Sequence, residues 1–132
     1  MPRSIVWGAA VLLLTVLPGS ALAAPRGDAV RGAALYDRCI ACHSLERNRT
    51  GPKHCGLFDR AAGEAEGYRY SKAMRDWGQR WTPESLDTFL ENPRKTVPGT
   101  RMTYAGVKDA QERADIIAYL MRENAPDGTC AQ

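Results

Sequence analysis

The 132-residue chain has little of what marks the larger functional classes. No stretch shows the period-2 alternation of a half-buried strand, and there is no internal repeat or interdomain linker. A glycine-rich phosphate-binding motif is absent. The length leaves no room for a doubly wound nucleotide fold with a second domain. Charge of one sign is scarce: 18 Lys+Arg face 15 Asp+Glu, a net +3. That balance is too weak to argue for nucleic acid. Histidine occurs twice and phenylalanine twice. Mean hydropathy is −0.40 although 44% of the residues are hydrophobic. Much of the apolar content sits at the N-terminus, so what remains is thin for a self-sufficient core. Another apolar body is expected to complete the interior.

The N-terminal apolar residues read as an address. Arg3 is the only charge before Arg26, and Ile5–Leu17 is a 13-residue apolar run broken only by Gly8 and Thr15. Pro18-Gly19-Ser20 ends it and Ala21-Leu22-Ala23 follows. A basic start, a short apolar run and small residues at the A-x-A positions describe a secretory signal peptide, residues 1–23. The run is shorter than the roughly 18–20 residues of a spanning helix, although an uncleaved anchor is the competing reading. No cysteine follows the run, which argues against a lipid-anchored N-terminus. Cleavage after Ala23 leaves residues 24–132 as one domain of 109 residues, with a net charge of +2 once Arg3 is lost. That domain is expected to be soluble, monomeric and periplasmic. In an oxidising space Cys39, Cys42, Cys55 and Cys130 each need a partner.

The mature chain reads as all-α, with short helices and long loops. Asp28 caps a helix through Tyr36, with Val30, Ala33 and Ala34 at helical spacing. A loop rich in Arg, Gly and Pro covers residues 44–67. A short helix is predicted over Ser71–Trp77, stopped by Gly78. Thr82-Pro83-Glu84 starts another, ending near Glu91 because Pro93 disfavours helical geometry at Asn92. Residues 94–107 read as an irregular loop. Asp109-Ala110-Gln111-Glu112 resembles a capping box and opens a last helix through Asn124, whose Ile116, Ile117, Tyr119 and Leu120 are candidates for the core.

The chemistry-bearing motif is Cys39-Ile40-Ala41-Cys42-His43. C-x-x-C-H reads as a covalent haem attachment site. Two thiols three residues apart reach the two vinyl groups of one haem, and the adjacent His supplies an axial nitrogen. A structural zinc site would want a second close pair, whereas Cys55 and Cys130 are 75 positions apart. A thioredoxin-like pair would want a preceding strand, and a plain disulfide would give His43 no role. For the sixth ligand, Met102 follows Pro98-Gly99-Thr100-Arg101 in a loop that can bring a thioether to iron. Met74 and Met121 lie in helices and read as packing. His54 is the other candidate. A thioether with an imidazole raises the reduction potential, as suits an electron-carrying haem. With both axial positions filled, the iron cycles between Fe(II) and Fe(III), and the protein is not an enzyme.

These residues resemble the soluble class I cytochromes c of the mitochondrial and related bacterial type. The resemblance covers nearly all of residues 27–124. Beyond the haem motif it rests on Thr50-Gly51-Pro52, Gly56-Leu57-Phe58, Gly67-Tyr68, Trp81, Leu90-Glu91-Asn92-Pro93, Pro98-Gly99-Thr100-Arg101-Met102, Tyr104-Ala105-Gly106 and residues 112–120. It implies a class I cytochrome c fold wrapped around one haem. It implies that the Pro52 carbonyl accepts the His43 N–H, and that Arg60, Tyr70, Trp81 and Thr100 meet the haem propionates. It also implies that Gly32 and Tyr36 lie where the last helix crosses near Tyr119.

The chain departs from the family in two places. Phe89 and Met74 stand where relatives often carry Tyr and Asn, so a smaller, drier network is expected on the Met side. His54-Cys55 replaces a frequent Leu-His, and Cys55 with Cys130 is expected to form a disulfide; two free thiols or pairing with another chain are the alternatives. Lys53, Arg94, Lys95 and Arg101 are expected to border the haem edge and steer redox partners, with membrane contact only through membrane-bound complexes. The function expected is a diffusible periplasmic electron carrier. The alternatives are a dedicated haem subunit of a dehydrogenase or oxidase, or a small haem peroxidase or gas-binding protein if Met102 leaves the iron open.

Overall fold

The computed structural model describes Met1, Ala23 and residues 25–131. The segment read as a signal peptide lies, apart from Met1 and Ala23, outside the described residues. Five helices follow in order: α1 (Ala29–Tyr36), α2 (Lys72–Trp77), α3 (Pro83–Glu91), α4 (Pro93–Thr96) and α5 (Ala110–Glu123). No strand forms among the described residues; a single antiparallel bridge joins Ala61 and Arg80. No helix among them is long and apolar enough to cross a membrane.

The helix starts follow from local hydrogen bonding. Asp28 accepts from the N–H groups of Val30 and Arg31, and Ser71 from that of Met74. Thr82 and Ser85 close a reciprocal capping box, with Pro83 at the first helical position. Asp109 accepts from the Glu112 N–H. Each such cap satisfies a donor the helix itself cannot, worth about 1 kcal/mol. Gly78 ends α2 in the left-handed region, at φ 53°.

Two sequence expectations need correction. Residues 94–107 are not wholly irregular: Asn92 accepts from the Lys95 N–H and starts the one-turn α4. Pro93, which ends α3, suits the first position of the next turn because its missing N–H would be unpaired there anyway. The loop over residues 44–67 also holds a 3₁₀ turn, Leu57–Asp59, which places Leu57 in the core. The packed face of α1 is that of Gly32 and Tyr36, as the resemblance implied, and not that of Val30 and Ala34. Val30 is 74% exposed, whereas Gly32 and Tyr36 are buried.

That face exists for the crossing of α1 with α5. A Cβ on Gly32 would lie 1.9 Å from the Asp115 carbonyl oxygen and 2.8 Å from Tyr119 Cβ, so only glycine admits the approach. The crossing is pinned by the buried Asp115, which accepts from the Asp28 N–H at 2.8 Å and from Gln111 Nε2 at 2.9 Å. Arg31 lies 3.4 Å from its other oxygen. Arg113, also buried, ties α5 to α3 through Asp87 at 2.7 Å. Ile116, Ile117 and Leu120 face inward from α5, with Tyr119 half-buried. Met121, expected to pack, is instead 47% exposed, because it falls on the outer side of the same helix.

Candidate functional site

The inward faces of these helices and the loop after α1 enclose an apolar-walled cavity. Cys39, Cys42, His43 and Met102 all line it. Cys39 is half-buried, Cys42 is exposed, and neither thiol is paired with another cysteine. Burial pushes the Cys39 thiol up to about 11, with Arg38 opposing. The loop that presents the motif closes through hydrogen bonds from the Cys42 and His43 N–H groups to the Cys39 carbonyl, at 3.1 and 2.9 Å. One turn therefore holds both thiols and the imidazole.

His43 is buried, and its Nδ1–H donates to the Pro52 carbonyl at 2.8 Å. This is the bond that the sequence resemblance implied. It fixes the tautomer and leaves Nε2 as the lone-pair nitrogen. Burial lowers the pKa of His43, with the Pro52 bond pulling the other way. Gly51 presses on the ring: a Cβ there would stand 2.3 Å from His43 Cε1.

His54, the other ligand candidate, lies on this same side. Its ring stacks on His43 with centroids 4.3 Å apart and an interplanar angle of 23°. Two stacked rings cannot approach one iron from opposite faces. Its Nδ1 shares a hydrogen bond with the Tyr36 hydroxyl at 2.8 Å. Burial, followed by His43 and Arg60, holds the His54 pKa well below the ordinary histidine value. The sequence carried no signal for this pair, since nothing local relates positions 36, 43 and 54.

The wall supplied by α2, α3 and the residues between them differs in chemistry. Met74, Phe89, Leu90 and Trp81 line the cavity as buried apolar side chains. Trp77, Trp81 and Phe89 pack ring against ring, with centroids 5.3–5.9 Å apart. Met102 donates its backbone N–H to Thr100 Oγ1 at 3.3 Å. Arg60, Tyr70 and Thr100 also line the cavity. Arg60 donates to the carbonyls of Cys55 and Lys53. Its Nε is buried with no partner in the protein, a cationic donor left for an anion in the cavity.

The donor set fits a haem: two thiols and an imidazole on one turn, a thioether on the wall, an apolar lining and an unpaired guanidinium N–H for a carboxylate. Of the basic residues expected at its edge, Arg101 lines the cavity, Arg94 and Lys95 are exposed on α4, and Lys53 is half-buried. The sulfurs of Cys55 and Cys130 stand 1.95 Å apart, joining the loop after the motif to the tail beyond α5.

Comparison with known proteins agrees with this reading. The family described as Cytochrome c matches residues 29–123. A cytochrome c2 of Blastochloris viridis is 39% identical over 130 residues, covering 96% of this chain and 98% of its own. A cytochrome c of Euglena viridis is 47% identical over 97 residues, covering 71% and 95%. The solved structure of cytochrome cH from Methylobacterium extorquens superimposes with a TM-score of 0.70 at 42% identity, covering 72% of this chain and 98% of that one. The chain belongs to the cytochrome c family: it is a class I cytochrome c, an electron carrier built on a covalently bound c-type haem.

Proposed function

We propose that the chain is a periplasmic carrier whose haem is held by thioethers to Cys39 and Cys42 and ligated by His43 and Met102. The observation that carries this reading is the convergence of these four side chains on one apolar cavity, with His43 Nδ1 committed to Pro52 and Nε2 free. When bound, the haem supplies a one-electron iron couple. The chain's residues do the rest. Pro52 orients the His43 ring and strengthens it as a donor. Arg60, Tyr70, Trp81 and Thr100 would hold the propionates, and Arg60 would offset charge that burial would otherwise make costly. Met74, Phe89 and Leu90 exclude water, and a low-dielectric surrounding disfavours the more charged oxidised state.

Export rests on the sequence of residues 1–23. In that compartment Cys55 and Cys130 form a disulfide. Lys53, Arg94, Lys95 and Arg101 steer the acidic face of a redox partner, and exchange with it slows as salt screens them. The carrier works as a monomer and meets membranes only through membrane-bound redox complexes.

Spectroscopy of the native holoprotein tests the ligand set. A weak red charge-transfer band in the oxidised form, and slow carbon monoxide binding to the reduced form, are expected. Absence of the band with ready carbon monoxide binding would overturn Met102 ligation. Thiol titration under denaturing conditions without reductant is expected to find no reactive cysteine; two would end the disulfide.

A further inference from the structure

His54 is held from several directions at once. Its ring lies on the face of His43, at 4.3 Å between centroids, and meets Tyr36 edge-on at 5.7 Å. The Tyr36 hydroxyl shares a 2.8 Å hydrogen bond with its Nδ1. Tyr36 in turn rests on Tyr119 of α5, with centroids 5.0 Å apart. The backbone of His54 is equally fixed. Its N–H donates to the Ser44 and Leu45 carbonyls at 3.1 and 3.0 Å, the first two residues after His43. Its carbonyl accepts from Asn124 Nδ2 at 3.2 Å, and Asn124 Oδ1 accepts from the Gly56 N–H at 2.7 Å. Thus α1 anchors the ring and the end of α5 anchors the segment that carries it.

His43 needs such a neighbour. Its bond to Pro52 fixes one point on the ring edge but leaves rotation about that bond free. Gly51 crowds only the Nδ1–Cε1–Nε2 side of the ring, where a Cβ would stand 2.3–2.7 Å from those atoms. A face contact is what restrains the remaining tilt.

Resting on the proposed ligation by His43, we infer that His54, braced by Tyr36, is a positioning residue for the axial imidazole. Its ring fixes the tilt of His43 and places a polar, polarisable surface against it. A leucine of similar bulk would fill the space without offering that surface. The positive charge shared by His43 is greater in the oxidised protein, so a polar neighbour favours that state over a hydrocarbon one. Losing it therefore moves the midpoint potential upward.

The test uses the holoprotein and two variants, His54→Leu and Tyr36→Phe. The first keeps bulk and removes the polar ring. The second keeps every ring and removes one hydroxyl, so it remains informative if the first does not fold. Equilibrium redox titration is combined with proton NMR of the oxidised form, reading the His43 ring protons. Expected are a rise in midpoint potential, larger for His54→Leu than for Tyr36→Phe, and displaced His43 ring signals in both. A potential that is unchanged or lowered in the variants overturns the positioning role. Wild-type His43 protons without the large paramagnetic shifts of an iron ligand would instead overturn the ligation reading, which separates the two failures.

Discussion

Around His43, the cavity lining is organised by directed contacts: a hydrogen bond to Pro52, a stacked ring, and a second hydrogen bond from that ring to Tyr36. Along α2, α3 and the residues between them, it is organised by shape: Met74, Trp81, Phe89 and Leu90 fill space with apolar side chains, and Trp77 packs on Trp81. The first arrangement specifies an orientation, because hydrogen bonds are directional. The second specifies an environment, because apolar packing excludes water without choosing an angle. A nitrogen ligand on a flat ring must be aimed, whereas a flexible thioether adapts to the space it is given.

The contrast is broken most severely by taking away the body both sets of residues surround. Protein made without haem is expected to lose most of the roughly 5–15 kcal/mol that holds a domain of this size. It should show no cooperative thermal transition by far-ultraviolet circular dichroism. A native-like transition would mean that the two linings close on each other unaided.

Next in size is the tie behind the His43 region. Cys55 and Cys130 are 75 residues apart in sequence. Replacing both with serine is expected to cost on the order of 4 kcal/mol in the chain-entropy account. Guanidinium denaturation of the holoprotein measures it.

Gly51→Ala attacks the aimed side directly, since its Cβ would stand 2.3 Å from His43 Cε1. A cost of about 1–3 kcal/mol is expected, as for other overpacked sites. The axial His signals in NMR should move with it. Phe89→Tyr attacks the shaped side. A buried hydroxyl without a partner costs about 1–2 kcal/mol, read as a lower Tm, and the His43 signals should stay in place. If Gly51→Ala leaves those signals unmoved while Phe89→Tyr displaces them, the division of labour is reversed.

The smallest effect belongs to a site remote from both. Asp115→Asn removes the charge from a carboxylate whose pKa is held below the usual range by the Asp28 N–H, then Gln111 and Arg31. The expected loss is about 1 kcal/mol. Because the folded value is depressed, the native contribution is complete above the ordinary carboxylate pKa of about 4 and disappears as pH falls through the lower folded value. Stability curves of the two proteins should therefore differ at neutral pH and converge in acid.

Much of this was legible in the chain. Helix starts at Asp28, Thr82 and Asp109 are local chemistry, and a cap depends on residues two or three positions away. Cys39-Ile40-Ala41-Cys42-His43 is equally local. What the sequence concealed depends on distant partners. Position 54 reads as a second ligand candidate in a loop until the fold brings it onto the face of His43. The resemblance assigned Arg60 to the propionates, but not its bonds to the carbonyls of Cys55 and Lys53, which leave Nε over. The spacing of Val30, Ala33 and Ala34 identifies a helix but does not choose which face α5 will cover.

The packing of α1 on α5, and of residue 55 against residue 130, has a consequence in time as well as in space. Synthesis runs from the N-terminus, so Cys39, Cys42 and His43 exist well before the helix and tail that close over them. Until those last residues arrive the thiols stand in an open chain, accessible to whatever delivers the haem. The order of the elements thus places the Cys39–His43 motif ahead of the helix that covers it. A chain truncated before Ala110 would keep the motif and lose the seal.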